Sequence, residues 1–353
     1  MNVLGIETSC DECAAAVVRD GREVLSNVVA TQIPVHAVYN GVVPELASRM
    51  HTEWILDVVG KALGDAGLEP GGIDGVAAAA QPGLLGSLLV GLNFAKAFAW
   101  ARDLPFIALD HMLAHLYAPR LAVPGRAEEP AAYPFLGLLV SGGHSIICRA
   151  DNFDDITVLG TTIDDALGEA FDKVAKHYGF GYPGGAVIDN LAKTGDSGAF
   201  RFPMPNLYKK NGVSTNEVSH RCDLSYSGLK TAVINQLEQF RVKPASGENE
   251  KADIAASFQK TAIEILLRGL FRAVEDTGLA TVVAGGGAAA NSLLRSRLAA
   301  RRDIRCVFPP LEFCGDNGAM IAGLGYQYLS RGDRSPVTVT ASARVKAFKR
   351  KYP

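Results

Sequence analysis

Val3-Leu4-Gly5-Ile6, the polar segment Glu7 to Glu12, the run Cys13-Ala14-Ala15-Ala16-Val17-Val18 and the turn Asp20-Gly21 read together as two buried strands closed into a hairpin. Beyond this opening, Pro44 to Leu63 carries apolar residues at helical spacing (Leu46, Met50, Ile55, Val58, Val59), and Gly75 to Ala80 returns as a buried strand ahead of Pro82-Gly83. Helix Leu88 to Ala101 and strand Phe106 to Leu109 follow. The order then recurs as strand Phe135 to Val140, Ser141-Gly142-Gly143, strand Ser145 to Arg149, helix Ala252 to Asp276, strand Thr281 to Ala284, a glycine turn and helix Asn291 to Arg301. Leu4-Gly5 and Ser9 align with Leu136-Gly137 and Ser141, and Val76 to Ala80 aligns with Val282 to Ala284. A duplication would give two similar α/β lobes facing each other across a cleft, with glycine turns around one nucleotide; the alternative is chance similarity among strands.

The size agrees with two lobes, since 353 residues at ~150 per domain is long enough to bury a proper core. With 48% hydrophobic and 20% charged residues the chain reads as a soluble globular protein, which excludes disordered, collagen-like and disulfide-scaffold classes. A net charge of −2 gives no global attraction to nucleic acid or acidic membranes, so a phosphate-rich partner needs a local patch. Six cysteines and no secretory pattern at Met1 point to a reducing cytoplasm. The stretch Gly75 to Ala101 is broken by Gln81, Pro82, Asn93 and Lys96 and does not reach the ~20 apolar residues of a membrane span. Linkers are expected at Ala122 to Tyr133 and Gly195 to Arg221, and the tail carries Arg344, Lys346, Lys349, Arg350 and Lys351 without an acid among them.

His111 and His115 stand four positions apart, the helical spacing that lets two imidazoles meet one metal ion; a third ligand must come from elsewhere. Met112 stands where a zinc-protease helix needs a glutamate base, which removes that chemistry. Asp316, in Phe313-Cys314-Gly315-Asp316-Asn317-Gly318, is the candidate third ligand, or else the N-cap of the helix Ala319 to Leu329. Gly285-Gly286-Gly287 lies between a strand and a helix and could cradle phosphate, but lacks the downstream acid of a dinucleotide site and the Lys-Ser/Thr of a P-loop. Asp164, Asp165, Glu169 and Asp172 are expected on one helix, with Glu169 and Lys173 as an i,i+4 pair. Pro183-Gly184-Gly185 with Asp189 is a second place where backbone and a carboxylate could meet a ligand, and Cys10-Asp11-Glu12-Cys13 is a poor setting for a redox dithiol.

Taken in order, Gly5 to Glu12, Gly41 to Arg49, Pro82-Gly83-Leu84, His111-x3-His115, Leu138 to His144, Gly168 to Lys173, Tyr182 to Gly185, Ser225-x-Ser227-Gly228-Leu229-Lys230, Ala284-Gly285-Gly286 with Asn291, and Cys314-x-Asp316 to Ile321 resemble the TsaD (Gcp/YgjD) family over nearly the whole chain. The resemblance implies an actin-like ATPase (ASKHA) fold of two duplicated RNase H-like lobes around a nucleotide cleft. The implied domains are an N-terminal lobe 1–110 with a helix at about 317–345 packing back on it, a C-terminal lobe 111–316 and a basic tail 346–353. It also implies a metal-dependent acyltransferase. The group moved would be threonylcarbamoyl, from threonylcarbamoyl-AMP to the exocyclic amine of the adenine 3′ of the anticodon, in tRNAs reading codons that start with adenine.

Carried over by motif, the metal ligands fall on His111, His115 and Asp316, for one iron(II) or zinc ion. The adenine nucleotide (threonylcarbamoyl-AMP, ATP or ADP) falls on Leu139, Val140, Ser141, Gly142, Gly143, Asp172, Gly185, Asp189 and Asn291. Asp11 and Glu12 are candidate catalytic acids facing phosphate or water. The implied partners are tRNA, a TsaB-like paralogue and a TsaE-like ATPase, with no membrane and a cytoplasmic location. Cys13, Asp110, Leu113-Ala114 and Ala288 to Ala290 depart from the family's usual residues without removing a ligand. A small-molecule kinase on the same fold would share the phosphate turns but has no use for the His pair, and a scaffold subunit would need neither.

Overall fold

The computed structural model describes residues 1–122, 129–205, 207, 209–210, 213–214, 221–244, 249–344 and 349–350. These form two compact units, one of Met1–Ala132, Asn152–Asp155 and Phe308–Phe348, the other of Tyr133–Asp151, Ile156–Val307 and Lys349–Pro353.

In the first unit β1 (Asn2–Glu7), β2 (Glu12–Arg19) and β3 (Glu23–Thr31) form an antiparallel meander. After α1 (Ile33–Ala37) and α2 (Pro44–Asp65), β4 (Gly75–Gln81), α3 (Leu85–Ala101) and β5 (Phe106–Asp110) extend the sheet in parallel to the order β3-β2-β1-β4-β5. Leu4, Ile6, Ala15, Val17, Val76 and Ala78 join Ile55 and Val59 of α2 and Leu92 and Ala95 of α3 in one core. The short helix α4 (His111–Tyr117) leaves the end of β5, and α10 (Gly318–Arg331) closes against β1 and β2. This last contact is backbone to backbone: a Cβ on Gly5 would lie 2.3 Å from the Gly318 carbonyl oxygen, and one on Gly318 would lie 2.5 Å from the Ala16 nitrogen.

The second unit repeats the plan. β6 (Phe135–Val140), β7 (Ser145–Ala150) and β8 (Ile156–Thr161) form the meander, and α5 (Leu167–Tyr178), α6 (Gly184–Ala192), the two-residue pair β9 (Lys209–Lys210) and β10 (Val213–Ser214), α7 (Ser227–Asn235) and α8 (Glu250–Thr277) follow. β11 (Thr281–Gly285) and β12 (Arg305–Val307), separated by α9 (Ser292–Ala299), complete the order β12-β11-β6-β7-β8, to which β13 (Lys349–Arg350) adds beside β8. Both sheets thus run third, second, first, fourth, fifth, with antiparallel and parallel pairings in the same places. The aligned residues of the sequence repeat are structural equivalents, and chance similarity is excluded.

Three expectations change. Strands β3 and β8, not anticipated, are the outer members of their meanders, and their Ser, Asn, Thr and Gly residues blur the alternation that marks a half-buried strand. Asp164 and Asp165 precede α5 and are not on it: Asp164 accepts from the Tyr226 N–H at 2.8 Å and Ser227 Oγ at 2.7 Å, and Asp165 pairs with Lys173 and Lys230 at 2.7 Å each. The expected division after residue 110 also differs from the compact units, because Tyr117 of α4 donates to the Gly21 carbonyl at 2.9 Å and accepts from Gln327 of α10 at 2.8 Å, holding α4 in the first unit. The side chains of Lys209, Lys210, Lys349 and Arg350, with Lys346 and Lys351, lie outside the described residues. Among the described residues all six cysteines are free thiols, and no helix is long and apolar enough to cross a membrane.

Candidate functional site

Asp110 ends β5 and caps α4, its Oδ1 accepting from the Met112 N–H at 2.8 Å and the Leu113 N–H at 3.3 Å. The cap makes His111 the first helical residue, and one turn later His115 lies beneath it, the rings 4.5 Å apart and nearly perpendicular. Asp316 approaches from the other side of the unit. The N-cap of α10 is Asn317, whose Oδ1 accepts from the Met320 N–H at 3.0 Å, so the capping role considered for Asp316 is filled by its neighbour. Asp316 Oδ1 stands 3.1 Å from His115 Nε2 and 3.5 Å from His111 Nε2, and the two Nε2 atoms are 3.1 Å apart. Glu7, at the end of β1, accepts from His111 Nδ1 at 2.8 Å, with Ser9 Oγ 3.3 Å from the same nitrogen. Sequence reasoning missed Glu7 and Ser9. Their signals were the polar segment between two buried strands, its place in the motif Gly5 to Glu12, and the alignment of Ser9 with Ser141.

Burial alone would lower the basicity of His111, but the carboxylates of Glu7 and Asp316 overcome it and lift its pKa to about 10. His115, buried and beside His111, is pushed below the ordinary value. Asp316 resists the upward pull of burial and falls to about 2, held down by His111 and His115. These donors fit a divalent cation: two imidazole nitrogens and one carboxylate oxygen converge, and Asp316 and Glu7 put negative charge beside them. Glu7 accepts a hydrogen bond from His111 Nδ1–H and leaves Nε2 as the ligand atom, the carboxylate–histidine arrangement common behind metals. His115 Nδ1 is buried with no hydrogen-bond partner among the described residues, so among these the ring is held by what its other nitrogen meets.

Asp11 and Glu12 occupy the turn into β2. Burial, then the negative charges of Asp316 and Asp11, push the Glu12 carboxyl up to about 9. Between about 4.5, its value in the unfolded chain, and about 9, the folded protein holds a proton that the unfolded chain has released, so stability falls as pH rises through that window. Urea midpoints of metal-free protein at pH 6 and pH 9 should drop more for the wild type than for Glu12→Gln. Parallel losses would mean that Glu12 is already ionised in the fold.

The second unit contains a cavity of about 430 Å³ lined by Gly142, Asp172, Gly185, Asp189 and Asn291 of the anticipated residues, with Phe171 and Ile263 among its apolar walls. Leu139 and Val140 are wholly buried in β6 and support it from behind, while Ser141 and Gly143 are not in its lining. Close backbone approaches shape it: a Cβ on Gly168 would lie 2.7 Å from the Gly142 Cα, and one on Gly286 would lie 2.4 Å from the Val140 carbonyl oxygen. Asp172 accepts from the Gly184 N–H at 2.7 Å, Asp189 accepts from Ser292 Oγ at 2.8 Å, and Asn291 caps α9 through the Leu294 N–H while donating to Gln259. These polar side chains therefore fix the turns that carry the cavity's backbone amides. Apolar walls suit a planar base and glycine turns suit phosphate.

The chain matches, over residues 23–323, the family model described as TsaD, tRNA N6-adenosine threonylcarbamoyltransferase. A Treponema denticola protein named tRNA N6-adenosine threonylcarbamoyltransferase is 63% identical over 351 residues, covering 99% of each chain. A Borreliella burgdorferi protein of the same name is 48% identical over 352 residues, 100% of this chain and 96% of that one. Among solved structures, HypF of T. kodakarensis is similar with a TM-score of 0.58 at 15% identity, over 94% of this chain and 48% of that one. Component A of the (R)-2-hydroxyglutaryl-CoA dehydratase of Acidaminococcus fermentans gives 0.52 at 14% identity, over 94% and 99%. With the duplicated sheets, these likenesses give the chain the actin-like ATPase fold.

Proposed function

The chain belongs to the tRNA N6-adenosine threonylcarbamoyltransferase family, and from that premise we propose that it moves the threonylcarbamoyl group of threonylcarbamoyl-AMP onto the exocyclic amine of the adenine 3′ of the anticodon, in tRNAs reading codons that start with adenine. The observation that carries the reading to this chain's own residues is the convergence of His111, His115 and Asp316, whose ligand atoms all lie within 4.8 Å of one another.

The donor is a mixed anhydride and already activated, so the protein's work is orientation and charge stabilisation. The amine nitrogen bonds to the carbamoyl carbon, the bond from that carbon to the phosphate oxygen breaks, AMP leaves and the amine gives up one proton. A divalent ion, iron(II) or zinc, held by His111 Nε2, His115 Nε2 and an Asp316 oxygen would supply a Lewis acid for phosphate or carbamoyl oxygens. Glu7 accepts from His111 Nδ1–H, which keeps the proton on that nitrogen and fixes the ring. Glu12, its carboxyl pushed upward by burial and by the charges of Asp316 and Asp11, and Asp11 beside it are the candidate acids for water or phosphate contacts. The cavity lined by Gly142, Asp172, Gly185, Asp189 and Asn291 would take the adenine nucleotide. A TsaB-like paralogue and a TsaE-like ATPase are the proposed partners, and the cytoplasm is the proposed compartment, where tRNA and a reducing environment for six free thiols coincide.

The test combines the purified chain, synthetic threonylcarbamoyl-AMP and such a tRNA, with and without the partner proteins, and reads digested nucleosides by mass. Threonylcarbamoyladenosine should form with the partners present, and its absence there would end the reading.

A further inference from the structure

Gln32, His36 and His51 are polar, completely buried and outside every role assigned above. Their contacts form a line. The Val43 N–H donates to His36 Nδ1 at 3.3 Å, His36 Nε2 meets Gln32 Oε1 at 3.1 Å, Gln32 Nε2 meets His51 Nδ1 at 3.3 Å, and His51 Nε2 meets the Cys10 carbonyl at 2.9 Å. A carbonyl only accepts, so His51 Nε2 carries hydrogen; the Val43 N–H only donates, so His36 Nδ1 does not. Only one assignment then satisfies every link: both rings neutral with hydrogen on Nε2, and the Gln32 amide with its oxygen toward His36. The second hydrogen of Gln32 Nε2 goes to the Ala47 carbonyl at 3.3 Å, and the Gln32 N–H goes to the Asp11 carbonyl at 3.0 Å. Burial lowers the basicity of His51, in agreement with a neutral ring.

The line ends on the turn that matters. It grips the carbonyls of Cys10 and Asp11, between Ser9, which touches His111, and Glu12, which feels the charge of Asp316. We propose that His36, Gln32 and His51 form a one-way hydrogen-bond chain that holds the Cys10–Glu12 turn in register with the His111–His115–Asp316 cluster, making His51 and Gln32 positioning residues for the transfer. The inference rests on the function proposed above for its kinetic consequence, and not for the chain itself.

Two measurements test the two halves. In full-length zinc-loaded protein labelled with 15N-histidine, long-range proton–nitrogen spectra should show His36 and His51 as neutral Nε2–H tautomers. Gln32→Glu, which turns the donor to His51 into an acceptor, should place a proton on His51 Nδ1. An Nδ1–H tautomer at either wild-type ring, or a His51 signal unmoved by Gln32→Glu, overturns the chain. In the transfer assay with partners, His51→Phe, which fills the space without donor or acceptor, should lower kcat about 10-fold or more, with KM for tRNA within about 3-fold and metal content unchanged. His51→Gln, which restores one donor and one acceptor, should recover most of the loss. A His51→Phe enzyme with wild-type kcat, or a His51→Gln enzyme no better than it, overturns the positioning role. Should His51→Phe not fold, Gln32→Glu is read in the same assay, with the same fall in kcat expected and an unchanged kcat overturning the role. An inactive wild type would instead sink the functional reading, leaving the tautomers to decide the chain.

Discussion

His115→Ala is expected to leave less than about a tenth of a metal ion per chain and to lower threonylcarbamoyl transfer at least ~100-fold, more than the 10–100-fold typical of residues behind the ligands. His115 Nε2 is 3.1 Å from both of the other donors, so its removal takes the middle member of the set and leaves His111 and Asp316 facing each other at 3.5 Å. Two protein donors are too few for a zinc or iron(II) site that must also keep open positions. The helix itself should survive, because its cap belongs to Asp110 and its anchor to Tyr117. Metal analysis, circular dichroism and the transfer assay on one preparation separate the cases. A folded variant with full metal and full transfer would place the ion elsewhere.

Gly286→Val should cost the fold more than about 2 kcal/mol and abolish binding of adenine nucleotides. Gly286 has φ +91°, a region that β-branched residues hardly enter, and a Cβ there would sit 2.4 Å from the Val140 carbonyl oxygen. Val140 is the last residue of β6 and runs directly into Ser141-Gly142, so the two turns must separate to admit the side chain. Gly287→Ala provides the contrast. Its Cβ meets nothing within 4 Å, and Gly287 lines the cavity, so this variant should keep its urea midpoint and lose affinity only as far as the methyl occupies ligand space. Equal stability of Gly286→Val and wild type would show that the turns do not depend on this contact.

The repeat was legible because its signals are short: apolar runs of strand length, glycines just after them and helical spacing between them. The helices found begin or end within a few residues of their expected limits, as with α8 at Glu250–Thr277 against Ala252 to Asp276. Strands β3 and β8 escaped because Ser26 and Asn27 in the one and Leu159 and Gly160 in the other break the apolar–polar alternation by which a half-buried strand is read. The His111–His115 pair was visible from spacing alone, since one helical turn sets that distance.

For Asp316 the sequence offered two roles, ligand or cap, and packing removed the second. Asn317 took the cap once Gly5 and Gly318 let α10 settle onto β1 and β2, and Asp316 was left turned toward the imidazoles. Glu7 could not be assigned from its neighbours in the chain, because its partner His111 lies 104 positions away. The chain through His36, Gln32 and His51 was invisible for a related reason: in the sequence these are unremarkable polar residues, and only burial forces each donor to find an acceptor. By itself the sequence determined the repeated order of strands and helices, the family and the one-turn spacing of His111 and His115, all written in local periods and motifs. The tertiary structure alone decided how those residues are oriented and protonated, because hydrogen bonds and charges between distant segments exist only after the sheets and α10 have packed.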